Sequence, residues 1–305
     1  MFSDQIFALV NWWHRARPLV LLYHGASERP PANRIASAHG KQVPVANLRE
    51  QLVWLKKNFT VVPLAEIERL ALGDAPPREK LAAITFDDGY QNNFHIAYPV
   101  LREFNLTATF FLTGQFVDQR TPLWIDRLAY ALGDDLNVYL SKRQELKKLS
   151  AAERELKLQA VESQTGRRLA FADSHPADDY APLSWAEARE MAAGGMSFGA
   201  HTLTHPVLSR LTAAEQAKEI LGAQKLIENQ LGACPHFAYP NGQPGDWNNE
   251  TLGLVAQAGW RAAWTTRAAR LRPGRDAPLL LPRLTIAAYH SRARFRALAS
   301  GLVPR

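Results

Sequence analysis

The sequence has few of the residues that cross-link a chain or carry it through a membrane. Its single cysteine, Cys234, excludes a disulfide framework and any zinc site built only from cysteines. It contains no run of about 20 apolar residues, the length that a helix needs to cross a bilayer. Internal repeats and Gly/Ser-rich linkers are also missing, so we expect one domain rather than an array or two tethered units.

Acidic residues are scarce at the carboxyl end. Residues 261–305 contain ten arginines and one acid, Asp276, for a net charge of +9, whereas residues 1–260 sum to −2. This asymmetry predicts either a solvated basic face or a site for an anion, such as a phosphate or an anionic membrane. With 47% hydrophobic and 21% charged residues, the chain has the composition of a folded globular protein.

The two ends of the chain are interpreted separately. Residues 1–18 lack the basic start and cleavage site of a secretion signal, and their apolar spacing predicts an amphipathic helix that packs on the core or lies in a membrane interface. We therefore expect a cytoplasmic protein, with peripheral contact to the inner membrane as an option. Residues 301–305 resemble the remnant of a protease-cleavage linker and are given no function.

Between the ends, short runs rich in Val, Ile, Leu, Phe and Thr alternate with helical patterns. This alternation predicts parallel βα units, in a barrel or an open sheet, across residues 19–300. Residues 120–180 break the rhythm, because no strand pattern appears there and residues 141–166 form a charged helical pattern. We interpret this segment as a helical insertion.

Polar groups follow several predicted strands directly: His24, Asp87–Asp88, His201 with His205, and Tyr239–Pro240–Asn241. The carboxyl ends of parallel strands share one face, so these groups are expected to converge. Two imidazoles and a carboxylate form a set that binds a divalent metal and leaves positions open for water and substrate. With adjacent carboxylates, one can bind the metal while the other takes a proton from water.

The segments TFDDG (residues 85–89) and HTLTH (residues 201–205) resemble the polysaccharide deacetylases with NodB homology, carbohydrate esterase family four. The resemblance extends over residues 19–286 and implies a deformed (β/α) barrel of about seven parallel strands. It also implies one divalent metal, with zinc the first choice and iron, cobalt, nickel or manganese as alternatives. The implied reaction is hydrolysis of an N-acetyl group on an amino sugar.

Carried over by motif, the resemblance makes Asp87 the general base and Asp88, His201 and His205 the metal ligands. The third motif of the family corresponds to FAYPNG (residues 237–242), so the backbone N–H of Asn241 is expected to bind the oxyanion.

At two positions the sequence departs from the family pattern, so other residues must orient the catalytic aspartate and serve as the general acid. Ala238 stands where better-known members have an arginine that orients the catalytic aspartate, and Arg283 is our candidate for that task because it adjoins a late strand. The usual C-terminal Leu-x-His is absent. Tyr23-His24 resembles the Tyr-His of the permuted poly-N-acetylglucosamine deacetylases, which makes His24 the predicted general acid.

Four further residues are expected at the substrate: Tyr239 and Pro240 in the third motif, and Trp124 and Asp126, which could stack on and hydrogen-bond a sugar ring. For Trp124, an anchoring role in the core is an equal alternative. The charge asymmetry and the N-terminal pattern favour a phosphate-bearing or lipid-linked glycan precursor as the substrate.

Two other functions stay open at this stage. A deformylase or another amide hydrolase would use the same residues, and a non-enzymatic protein that binds membrane surfaces would explain the charge alone. We expect no nucleic-acid partner, because the chain lacks a basic strand face with interleaved aromatics and a recognition helix.

Overall fold

A computed structural model describes residue 14 and residues 16–76, 79–171 and 180–302. The amphipathic helix predicted for residues 1–18 falls almost entirely outside these ranges, as do residues 303–305. The described strands are β1 (Leu19–Tyr23), β2 (Gly25–Ser27), β3 (Gln42–Pro44), β4 (Thr60–Val61), β5 (Leu81–Phe86), β6 (Thr109–Leu112), β7 (Ser197–Ala200), β8 (His236–Phe237) and β9 (Leu284–Thr285).

Twelve α-helices occur in the described ranges. They are α1 (Arg34–His39), α2 (Val45–Asn58), α3 (Leu64–Ala71), α4 (Tyr98–Glu103), α5 (Gly114–Asp118), α6 (Trp124–Leu132), α7 (Leu136–Leu146), α8 (Ala151–Thr165), α9 (Trp185–Ala193), α10 (Ala213–Leu231), α11 (Asn249–Gln257) and α12 (Arg292–Ser300). A π-helical turn, Asn93–Ala97, precedes α4, and short 3-10 turns lie at Leu208–Arg210 and Pro278–Leu280. Helix α10 begins at a capping box, in which Thr212 and Glu215 satisfy each other's backbone N–H groups.

Seven of the strands form one parallel sheet in the order β8-β7-β6-β5-β1-β9, with β4 paired to β5. β4 pairs with the start of β5 and β6 with its end, so both lie along the same edge of that strand. Strands β1, β5 and β6 are fully buried because helices cover a sheet whose strands are almost entirely apolar.

Trp264 closes this sheet into a barrel. It forms single-residue parallel bridges with Ala238, just after β8, and with Leu281, just before β9. Residues 262–265 contribute Trp264 alone to this pairing, and its two bridges join the two edges of the sheet. The carboxyl ends of the strands consequently form a ring, as predicted for a (β/α) barrel.

The insertion contains three helices, α6, α7 and α8, rather than the one long helical pattern expected from the sequence. The pattern breaks at Ser150, whose side chain and Glu153 form the capping box of α8. These helices bury an apolar cluster of their own, which includes Leu128, Tyr139 and Leu158. The short parallel pair β2–β3, which follows β1, was not predicted.

Gly199 in β7 provides a test of how tightly the barrel holds its site-bearing strands. A Cβ at this position would lie 2.6 Å from the carbonyl oxygen of His236 and 2.8 Å from Cδ1 of Phe111. We expect Gly199→Ala to lower the free energy of unfolding by about 1–3 kcal/mol, measured by chemical denaturation, because the strands must separate.

Gly253→Ala is the matched control. This glycine lies in the exposed face of α11 with nothing near its missing Cβ, so alanine should leave stability unchanged or raise it by up to about 1 kcal/mol. Equal stability of Gly199→Ala and the wild type would contradict the tight approach of β7 to β8.

Candidate active site

The strand ends bring together the polar groups that the sequence placed after them. His24 follows β1, Asp87 and Asp88 follow β5, and His201 follows β7. The hydrogen bonding between β1 and β5 continues beyond the end of β5, since the N–H of Asp87 donates to the carbonyl of Tyr23 at 2.9 Å. This backbone bond holds the aspartate pair beside the end of β1, where His24 is the single residue between β1 and β2.

Asp88, His201 and His205 form a cluster in which one potential ligand atom of each lies within 4.8 Å of the others. Oδ1 of Asp88 is 3.4 Å from Nε2 of His205 and 3.7 Å from Nε2 of His201, and it is buried with no hydrogen-bond donor among the described residues. Nδ1 of His201 lies 2.8 Å from the carbonyl oxygen of Ala238, to which it donates, so Nε2 carries the lone pair. These donors fit a divalent ion bound by two histidines and a carboxylate.

Backbone strain is concentrated at the same cluster. Asp88, Thr202, His205 and Asn241 all have positive φ, a conformation that costs a non-glycine residue about 1 kcal/mol or more. Glu219 of α10, which the sequence did not suggest, holds the loop between the histidines. Its carboxylate accepts from the backbone N–H groups of Leu203 and Thr204 and from the Thr204 hydroxyl.

Arg283 contacts Asp87 in the manner that an orienting arginine would require. Its two terminal nitrogens each donate to one oxygen of the carboxylate at 2.7 Å, and both side chains are almost fully buried. Nη1 of Arg283 also donates to the hydroxyl of Thr85, and Nε to the carbonyl of Thr265. Burial alone would raise the pKa of Asp87, but Arg283 and His201 outweigh it and hold the pKa below its usual range.

Lys41 is a site residue that the sequence did not indicate, because no motif surrounds it. Its Nζ donates to Oδ2 of Asp88 at 3.0 Å, to Asp126 at 3.1 Å and to the Tyr90 hydroxyl at 2.6 Å. The Tyr90 hydroxyl in turn donates to Asp126. Burial alone would lower the pKa of Lys41, but Asp126 and Asp88 outweigh it and raise the pKa.

The substrate contacts predicted for Asp126 and Trp124 are wrong. Asp126 is buried, and its two oxygens accept from Lys41 and Tyr90. Trp124 is buried under Arg154, and its indole N–H donates to the carbonyl of His205. Trp124 is thus the core anchor that was the alternative prediction, and it ties the insertion to the histidine loop.

Tyr239 and Pro240 are also buried and do not line the cavity, so their predicted substrate contacts are corrected as well. The Tyr239 hydroxyl donates to the carbonyl of Leu279, which fixes the third motif against the segment before β9. Asn241 does line the cavity, and its backbone N–H has no acceptor among the described residues. It is therefore available to a ligand.

His24 lines the same cavity, beside the two aspartates. Burial lowers its pKa to about 4, against an opposing effect of Asp88, so the imidazole is neutral at pH 7 in the free protein. Burial likewise lowers the pKa of His205 to about 3 and keeps its ring in the neutral form that binds metals.

The cavity has a volume of about 350 Å³, which is enough for one sugar residue with its substituents. Its floor consists of the strand-end residues His24, Asp87, Asp88, His201 and His205. The insertion supplies much of one wall, through Ile125 of α6 and the α7 residues Leu136, Tyr139, Leu140 and Arg143. The structure thus gives the insertion a part in shaping the cavity.

A parallel barrel with a carboxylate and two histidines at its strand ends defines a class of hydrolytic enzymes, and comparison with known proteins identifies the class. Residues 74–263 match the profile of the polysaccharide deacetylases. Because the match covers more than half of the chain, the chain belongs to the polysaccharide deacetylase family and is an enzyme of that class. The family resemblance drawn from the two sequence motifs is confirmed.

Two curated relatives illustrate the match. YxkH of Bacillus subtilis (strain 168), named as a polysaccharide deacetylase, is 24% identical over 266 residues, which are 87% of this chain and 70% of that protein. The poly-beta-1,6-N-acetyl-D-glucosamine N-deacetylase of Escherichia coli (strain K12) is 30% identical over 116 residues. That alignment covers 38% of this chain and only 16% of the E. coli protein.

Solved structures share the fold. The deacetylase PplD of Streptococcus pyogenes, in complex with acetate, has a TM-score of 0.64 at 19% identity, with 92% of this chain and 96% of that chain covered. IcaB from Ammonifex degensii has a TM-score of 0.64 at 21% identity, with 93% and 97% covered. The predicted (β/α) barrel is confirmed by these similarities.

The ion pair between Arg283 and Asp87 leads to a prediction on pH dependence. In Arg283→Met, burial is no longer opposed by the guanidinium, so the pKa of Asp87 rises and the carboxyl stays protonated to a higher pH. We expect kcat/KM to fall by about 10²–10⁴ and the acid limb of its pH profile to move upward.

Arg283→Lys keeps the positive charge but loses the paired hydrogen bonds, and it should recover part of the acid-limb shift. The pH profile of kcat/KM for amide hydrolysis distinguishes the variants. An Arg283→Met profile with reduced amplitude and an unshifted acid limb would contradict the control of Asp87 by Arg283.

Proposed function

We propose that the chain is a divalent-metal-dependent N-deacetylase that hydrolyses the N-acetyl group of an amino sugar in a glycan. The observation that carries this proposal is the pairing of Asp87 with Arg283 directly beside the cluster of Asp88, His201 and His205. The ion pair with Arg283 keeps the carboxylate of Asp87 ionised, and Asp87 is not one of the three proposed metal ligands. The N-deacetylase names of the E. coli relatives support the same substrate class.

Asp88, His201 and His205 would hold the metal ion, through Oδ1 of the aspartate and Nε2 of each histidine. When bound there, a divalent ion supplies Lewis-acid activation of water and of the acetyl carbonyl. Lys41 contacts the other oxygen of Asp88 and partly neutralises the buried carboxylates. Zinc is our first choice, with iron, cobalt, nickel or manganese as alternatives, since this ligand set does not select strongly among them.

Asp87 accepts a proton from the attacking water, whose oxygen forms the new bond to the acetyl carbon. Both Asp87 oxygens already accept from Arg283, but each retains a second lone pair for that proton. The backbone N–H of Asn241 donates to the carbonyl oxygen as negative charge develops on it.

His24 donates a proton to the sugar nitrogen as the C–N bond breaks, so that acetate and a free amine leave. Its imidazole is neutral at pH 7 in the free protein. Negative charge that develops on the carbonyl oxygen raises the pKa of His24, so the imidazole takes up a proton from solvent and becomes the imidazolium that donates to the leaving nitrogen.

Two variants separate the base from the metal ligands. In Asp87→Asn the ligand set is intact, so we expect metal content like that of the wild type and a fall in acetate release of about 10²–10⁴. In His205→Ala a ligand is lost, so both metal content and activity should fall. Acetate is measured from N-acetylglucosamine oligomers, and metal by elemental analysis.

Chelator treatment should abolish the activity of the wild type, and added divalent metal should restore it. Activity of Asp87→Asn within a few-fold of the wild type would contradict the assignment of the base. Formate release from an N-formyl sugar, with no acetate from N-acetyl sugars, would contradict the proposed deacetylase function and indicate a deformylase.

We further propose that the substrate is a phosphate-bearing or lipid-linked glycan precursor at the inner membrane face. Arginine excess near the carboxyl end supports contact with anionic lipid, although several of these arginines form ion pairs within the protein, such as Arg261 with Asp74. Arg275 and Arg294 are exposed and remain available to lipid headgroups. No helix in the described ranges is long and apolar enough to span a membrane.

Membrane contact is tested with the double variant Arg275→Glu/Arg294→Glu. Because each basic residue near an anionic surface contributes about 1 kcal/mol, its binding to phosphatidylglycerol vesicles should weaken by about tenfold or more. Vesicle co-sedimentation at low and physiological salt measures this. Equal binding of the wild type to neutral phosphatidylcholine vesicles would contradict the electrostatic contact.

A further inference from the structure

Helix α7 of the insertion presents one face to the catalytic cavity. Its cavity-lining residues are Leu136, Tyr139, Leu140 and Arg143, and Lys147 follows directly after the helix. The spacing of three or four residues places them along a single stripe of the helix. The cavity therefore has a wall whose far end carries two cationic side chains.

The charged groups that line the cavity are paired, with one exception among the described residues. Asp87 pairs with Arg283, Asp88 with Lys41, and Lys147 with Asp246 at 3.2 Å. Arg143 has no carboxylate partner in the described part of the chain, and its Nε is buried with no hydrogen-bond acceptor. A buried donor without an acceptor is costly, so this group is suited to an acceptor that arrives from outside.

The negative charges that line the cavity, Asp87 and Asp88, are paired with Arg283 and Lys41 rather than with Arg143. His39 and the Tyr139 hydroxyl are hydrogen-bonded to each other, and their rings meet edge to face. Burial and the nearby charges of Lys41 and Arg143 lower the pKa of His39 to about 2. A neutral histidine beside a guanidinium leaves the guanidinium as the anion-binding group of that wall.

We propose that Arg143 is an anion subsite that binds a phosphoryl group carried by the glycan while its N-acetyl group lies at Asp88, His201 and His205. This inference rests on the proposed function and adds the residue that recognises the substrate's charge. A planar guanidinium can donate two parallel hydrogen bonds to a phosphate. The phosphoryl group can belong to a sugar phosphate or to a lipid-linked diphosphate.

The kinetic test compares a charged and a neutral substrate. For N-acetylglucosamine 1-phosphate, Arg143→Gln should raise KM by about tenfold or more with kcat changed less than about threefold, because a charge-assisted contact is lost. For methyl N-acetylglucosaminide, which carries no phosphate, the KM of Arg143→Gln should equal that of the wild type. A lipid-linked N-acetylglucosamine diphosphate, assayed in detergent, identifies which phosphoryl source is preferred.

Lys148→Gln is the matched control. Lys148 lies two residues after the end of α7, its side chain is exposed, and it does not line the cavity, so this variant removes one positive charge outside the subsite. It should change neither KM. Metal content and the thermal midpoint establish that Arg143→Gln is folded and loaded. Equal KM changes for the charged and the neutral substrate in Arg143→Gln, or no change in either, would overturn the subsite.

A binding measurement on the metal-loaded protein distinguishes failure of the anion subsite from failure of the proposed deacetylase function. If the wild type releases no acetate from any substrate, deacetylation of these sugars is refuted. Equilibrium dialysis of N-acetylglucosamine 1-phosphate still tests the subsite, because Arg143→Gln retains every metal ligand. Weaker binding in Arg143→Gln than in Lys148→Gln supports the subsite, and equal or undetectable binding in the wild type and both variants overturns it.

Discussion

The ion pair between Arg283 and Asp87 is the interaction on which the site depends. It joins the end of β5 to the segment before β9, on opposite sides of β1, at nearly zero exposure. A buried pair of this kind is costly to desolvate, and further hydrogen bonds offset that cost, here the contacts of Arg283 with Thr85 and Thr265. The same contacts keep Asp87 ionised next to the cluster of Asp88, His201 and His205.

Strain and incomplete hydrogen bonding coincide with the chemistry. Asp88 and His205 have positive φ, and Oδ1 of Asp88 is buried without a donor in the part of the chain that the structure describes. The surrounding structure stabilises this arrangement through Glu219 on one side and Lys41 on the other. Glu219 and Lys41 thus hold the ligand-bearing side chains in fixed positions, as a preformed binding site requires.

The insertion contacts the site residues and forms part of the cavity, although its sequence is rich in charged residues. Trp124 bonds to the backbone of His205, Asp126 bonds to Lys41, and α7 forms a wall of the cavity. Trp124 and Asp126, which we expected to touch sugar, instead connect the insertion to His205 and Lys41. Other residues of the same insertion line the cavity, so one segment both supports the cluster and shapes the cavity.

The sequence by itself determined the barrel, the cluster of Asp88, His201 and His205, and the neighbouring Asp87, because these depend on local apolar runs followed by short motifs. The parallel topology then brings strand ends together without further information. Only the tertiary structure decided the role of Lys41, the corrections at Trp124, Asp126, Tyr239 and Pro240, and the closure of the barrel at Trp264. Those outcomes depend on contacts between segments far apart in the chain, where burial and hydrogen-bond partners leave no periodic or local pattern in the sequence.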